Sequence, residues 1–213
     1  LSAALFLFLA MLLALYMLSI SNNDQTIDTD NAGGGSLDAI KNSLQINEIR
    51  NIASYVWIWT ALMTVQWITA INIVEDWSQN SEQRLRFFAI MEQVISPLTL
   101  IVQLFFTNLI IKKIGIKNIL LSYGIVFFLA FVLYGLIPSI ISVGVVTVFL
   151  RVFEYGINKP TRETIFSTFK KNDRYKSTVF IDTFISRFGD LSGSGFIAIG
   201  KLTSIAANSL PLI

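Results

Sequence analysis

Residues 139–176 read SIISVGVVTVFLRVFEYGINKPTRETIFSTFKKNDRYK, an apolar run carrying Arg151 and Glu154 that gives way to a segment with six basic residues between Lys159 and Lys176. A helix needs about 20 mostly apolar residues to cross the hydrocarbon core of a bilayer, so Ser139–Ile157 reads as a membrane span. Pro160 fits the first turn of a helix and disfavours helix at Lys159. The span is therefore expected to break near Asn158–Lys159, with Thr161–Glu163 opening a short interfacial helix whose Ile165, Phe166 and Phe169 face lipid. The basic segment has two readings: a loop that sets membrane orientation, or part of a site that handles an anion.

Composition supports the membrane reading. The chain has 213 residues, of which 54% are hydrophobic and 14% charged, with a mean hydropathy of +0.64. Soluble domains carry about 25% charged residues. A formal net charge of +2 is too small to argue for a nucleic-acid partner. There is no Cys and no His, which removes disulfides, thiolate nucleophiles, Ser/His machinery and the usual zinc and haem ligands. No metal, no cofactor and no enzymatic activity are expected. An aspartate pair at Asp182 and Asp190 lacks the surrounding motifs of an intramembrane protease.

Six spans emerge from the apolar runs: Leu1–Ile20, Ile52–Val74, Phe87–Ile111 (with Glu92 and Pro97), Ile119–Ile137, Ser139–Ile157, and a more polar one beginning near Val179. Leu1–Ile20 opens with neither a Met nor a basic residue, so it does not read as a signal peptide. It reads instead as the last helix of an upstream bundle whose remainder is missing. Residues 21–50 form a linker, its first part rich in Asn, Asp and Gly, its second (Leu37–Ile49) spaced as a short interfacial helix. Residues 51–213 then form an incomplete second bundle. The segments 21–51, 112–117 and 159–176 hold eleven of the sixteen Lys and Arg, against Arg84 and Arg86 in the opposite loops. By the positive-inside rule the three basic segments are cytoplasmic, the membrane expected being a bacterial inner membrane.

Ionisable side chains inside a span cost about 2.5–3.5 kcal/mol on insertion scales and usually face a cavity or a partner. Arg151 and Glu154, three residues apart, share a helix face. They either neutralise each other or face a cavity. Asp182, Ser186 and Asp190 form an i, i+4, i+8 row, with Arg187 three residues before Asp190, and this group favours a polar cavity. Glu75 and Glu92 read either as interface residues or as cavity acids. Gly189, Gly193 and Gly195 give the small-residue spacing at which another helix approaches closely.

Residues 153–195, FEYGINKPTRETIFSTFKKNDRYKSTVFIDTFISRFGDLSGSG, resemble the region after the tenth helix in bacterial and plastid ATP/ADP translocases and their major facilitator relatives. The matching positions are Pro160, Thr161, Arg162 and Glu163, then Tyr175 and Lys176, Asp182, and Arg187 with Gly189. NIVEDW (residues 72–77) and GGGSLDAIKNSL (residues 33–44) are weaker matches, to the outer end of the seventh helix and to the inter-bundle linker. The resemblance implies an all-α integral membrane protein whose six helices correspond to the sixth through eleventh of a twelve-helix major facilitator transporter. One departure concerns substrate: the family's nucleotide exchangers carry Lys-Ser-Gly where this chain has Asp190-Leu191-Ser192, an acid in place of a base.

The resemblance implies a secondary active transporter that moves an anionic solute, nucleotides among the candidates, by alternating access. Its partners are then the solute, the bilayer and the upstream half of the same protein. Arg187, Arg151 and Lys159 are expected to offer positive charge to the solute. Asp182, Asp190, Glu154 and Glu75 are expected to act as coupling or gating carboxylates. Arg162, Glu163 and Lys176 are expected to form a cytoplasmic gate. The competing reading is a non-transporting membrane scaffold or sensor whose buried charges are structural.

Overall fold

The computed structural model describes residues 46–169 and 171–209, with side-chain surroundings for 46–169 and 174–202. The expected first span and most of the linker lie outside the described residues. Every described element is helical. Helix α1 is Asn47–Trp77, α2 Ser81–Ile114, α3 Ile116–Leu136 and α4 Ile140–Phe166, and each is long and apolar enough to cross a membrane. The chain is thus a multi-pass, membrane-embedded protein, and these four helices coincide with the second to fifth expected spans. Helix α5, residues 171–209, stands where the sixth was expected. Among the described residues four helices have the required length and apolarity. Helix α5 is more polar, with Arg174, Lys176, Asp182, Arg187, Asp190 and Lys201 along its length.

Short connections keep successive helices antiparallel. The Asn80 side chain accepts the Glu82 N–H at 2.9 Å at the start of α2. Ser139 and Ser142 close a reciprocal capping box at the start of α4. Between α2 and α3 the chain reverses through Gly115 alone, at φ +82°, a conformation other residues adopt only at a cost. The expected 112–117 loop is therefore mostly helix, Lys112 and Lys113 lying in the last turn of α2 and Lys117 in the first turn of α3.

Three helices widen by one turn of π-helix: Val102–Phe106 in α2, Glu154–Asn158 in α4 and Ile181–Ile185 in α5. The second replaces the break expected at Asn158–Lys159. Pro160 has no N–H to give the Gly156 carbonyl, and the change of register at the π turn passes over the Tyr155 carbonyl. Helix α2 supplies a donor to each: Gln103 Nε2 donates to the Tyr155 carbonyl at 2.9 Å and the Thr107 hydroxyl donates to the Gly156 carbonyl. Gly156 leaves room for this contact, since a Cβ there would lie 2.8 Å from Val102 Cγ1. The helix continues because a neighbour satisfies what proline leaves open.

One apolar cluster joins Ala70 and Val74 of α1 to Tyr123 and Phe127 of α3 and to Val143, Val146 and Leu150 of α4. A second joins Ile49, Ile52 and Val56 of α1 to Phe166 and Ile181. Two expectations change here. Phe166 is buried, and Ile165 and Phe169 pack against the same cluster rather than facing lipid. Ile49 belongs to α1 itself rather than to a separate interfacial helix. Both follow from the entry of α1 beside the end of α4, which offers these side chains an apolar partner.

Helix α5 packs most extensively on α1. A Cβ on Gly189 would lie 2.7 Å from Thr60 Cβ and 2.8 Å from the Trp57 carbonyl oxygen, and one on Gly193 would lie 2.9 Å from Thr64 Cβ. Gly195 has open space around it. The close approach expected from the glycine spacing is made by Gly189 and Gly193.

Candidate functional site

The close seating of α5 on α1, together with α4, leaves a cavity of about 400 Å³. Its wall includes Trp59, Thr60, Met63, Thr64, Gln66 and Trp67 from α1, Arg151, Glu154 and Tyr155 from α4, and Asp190 from α5. Three ionisable groups thus reach it from two helices. Each is one member of an ion pair whose other member is not part of the wall. Arg151 pairs with Glu92 of α2. Glu154 pairs with Arg162 at 2.8 Å, and Asp190 pairs with Arg187 at 3.3 Å.

The Glu154 pair lies deepest. Both side chains are almost fully buried, 3% and 8% exposed, where a charge is costly unless paired; Arg162 Nε has no hydrogen-bond partner among the described residues. One Glu154 oxygen takes Arg162 and the other accepts from Asn158 Nδ2. Asn158 in turn accepts the Tyr55 hydroxyl at 2.8 Å. The Arg162 guanidinium lies 5.0 Å from the centre of the Trp59 ring, a cation–π distance. The buried Tyr123 hydroxyl lies beside the carboxylate without closing a hydrogen bond of normal geometry among the described residues. The π turn brings this set together, because Glu154 and Asn158 are its first and last residues.

The other two pairs are more open. The Glu92 and Arg151 side chains are 51% and 27% exposed, and Arg151 lies 6.0 Å from the Trp67 ring centre. Asp190 accepts the Thr64 hydroxyl at 2.8 Å through one oxygen, while the side chain of its partner Arg187 is 83% exposed. At the closed side of the cavity Gln66 donates to the Tyr134 hydroxyl at 2.8 Å and to Thr147 Oγ1 at 3.2 Å. Both protons of that buried amide nitrogen are engaged, which fixes the wall at this point.

Of the residues singled out from sequence, Arg151, Glu154 and Asp190 meet at the cavity. Arg187 stands behind Asp190. Asp182, Lys159 and Glu75 are exposed and not part of its wall. Arg162 is drawn into the buried Glu154 network, whereas Glu163 and Lys176 are only half-buried. Arg151 and Glu154 share the cavity but do not pair with each other; each takes a partner from further away. Sequence reasoning missed Gln66, Asn158, Tyr55 and the two tryptophans of the wall. A glutamine in the middle of an otherwise apolar α1 was the one available signal. Among the described residues no group of acidic side chains is placed to hold a metal ion. No family model matches the chain, and neither a curated protein nor a solved structure is similar to it.

Proposed function

We propose that the protein is a secondary active transporter whose solute, carrying an anionic group, is bound in the cavity between α1, α4 and α5 and moved by alternating access. The observation that carries this reading is the placement of Arg151, Glu154 and Asp190 on the wall of one cavity, two of them on α4, a helix long and apolar enough to cross a membrane. Charges at that depth are costly, and charge serving only to join helices has no need of a cavity. Arg151 is the cation that meets the solute's anionic group. The resemblance of residues 153–195 to the ATP/ADP translocase group supports the same class of function. The membrane is proposed to be a bacterial inner membrane, with the basic ends of α2, α3 and α4 on the cytoplasmic side.

A second reading, a non-transporting scaffold, draws on the fact that each of the three charges has a partner. Uptake into proteoliposomes by the full-length polypeptide separates the two. Carrier function predicts saturable flux that Arg151→Gln lowers about tenfold or more while the protein stays folded. A panel of labelled solutes without flux, with Arg151→Gln altering thermal stability alone, overturns it.

A further inference from the structure

The charge on the cavity wall is mixed, and that restricts the solute. Resting on the carrier reading, we infer that the solute is a small amino-acid-like zwitterion, its protonated amine meeting Asp190 and its anionic group meeting Arg151. The wall holds one guanidinium and two carboxylates. The partners behind them, Glu92, Arg162 and Arg187, bring the set of six to neutrality. A polyphosphate needs an excess of positive charge and several donors converging on it. This wall gives it one cation and repels it with two acids. A solute carrying one charge of each sign finds a partner for both.

The three pairs are not equally available. Both oxygens of Glu154 are held, by Arg162 and Asn158, in a nearly sealed position. Asp190 has one oxygen bonded to Thr64 and the other only 3.3 Å from an exposed arginine, and exposed pairs of this kind are weak. An incoming ammonium group can take that oxygen and release Arg187 to water. Arg151 is held by Glu92, half-exposed on the neighbouring helix, so a solute carboxylate can replace it. Trp59, Trp67 and Met63 supply apolar wall for the rest of the molecule. A volume of about 400 Å³ is at the lower end for ligand pockets.

The test uses full-length protein in proteoliposomes given, separately, a mixture of the radiolabelled common L-amino acids, radiolabelled ATP and ADP, and labelled inorganic phosphate. The expected result is uptake of the amino-acid label alone. Asp190→Asn and Arg151→Gln should each lower its initial rate about tenfold or more, as loss of a charge-assisted contact implies. Arg187→Gln removes the competitor for Asp190 and should lower the half-saturating concentration, so a rise or no change counts against the assignment even if Asp190→Asn fails to fold. Uptake of ATP, ADP or phosphate without amino acids overturns the zwitterion and leaves the carrier standing. No uptake of any probe overturns both. Amino-acid uptake that Asp190→Asn leaves unchanged overturns the role given to Asp190.

Discussion

Thr107 of α2 donates its hydroxyl to the carbonyl of Gly156 in α4, the acceptor that Pro160 leaves without a helical partner. Two helices are thereby joined at a point where one of them lacks a hydrogen bond of its own. Thr107→Val keeps the shape and removes the donor. It should destabilise the protein by about 1 kcal/mol, the order measured for polar contacts between membrane helices, whereas Thr107→Ser should stay near wild type. Denaturation of the purified protein in mixed micelles reads the difference.

Glu154 and Arg162 sit eight residues apart and depend on each other. Arg162→Met leaves a carboxylate buried without its counter-charge and should cost about 3–5 kcal/mol. The double variant Glu154→Gln with Arg162→Met should recover most of that loss. A double variant no more stable than Arg162→Met shows that Arg162 contributes through packing on Trp59 and not through charge.

Gly189 and Gly193 set how closely α5 lies on α1. Gly193→Val forces a side chain into the Ala61 carbonyl and Thr64, and overpacking of this sort costs about 1–3 kcal/mol. It should also disturb the Thr64–Asp190 hydrogen bond and with it any solute binding. Gly195→Ala meets open space inside the same helix and should leave binding unchanged while stabilising by about 0.5–1 kcal/mol.

Gly115 and Gly124 give opposite outcomes for the same substitution. Gly115→Ala places a side chain at φ +82° and should destabilise by about 1–2 kcal/mol. Gly124→Ala, inside α3 with nothing within 4 Å of the new Cβ, should stabilise by about 0.5–1 kcal/mol. Paired melting curves check both signs at once.

Much of the helix layout was legible because membrane spans announce themselves by length and apolarity. α1 to α4 fall where the apolar runs place them, extended at their ends by polar turns that hydropathy does not count. The cavity was legible in part. Arg151, Glu154 and Asp190 stood out as charges at the wrong depth, but their partners did not. Glu92 reaches Arg151 across 59 positions, and the spacing of Arg151 and Glu154 alone suggests the wrong pair. Pro160 signalled an interruption, yet whether a helix breaks or widens depends on Gln103 and Thr107, which no local pattern connects to it. Phe166 looked ready for lipid only because Ile49 and Ile52 are distant in sequence.

The π turn at Glu154–Asn158 amounts to one surplus residue spliced into an otherwise regular helix. A helix advances about 100° per residue, so deleting a single position there would rotate everything downstream by that angle. Arg162 would swing away from Glu154 and Phe166 out of its cluster, with almost no change in composition. Chain length, counted to the residue, is thus the variable that keeps this helix in phase with its neighbours. Deleting one residue at this turn should therefore remove the Glu154–Arg162 and Phe166 contacts together, read as a lowered melting temperature.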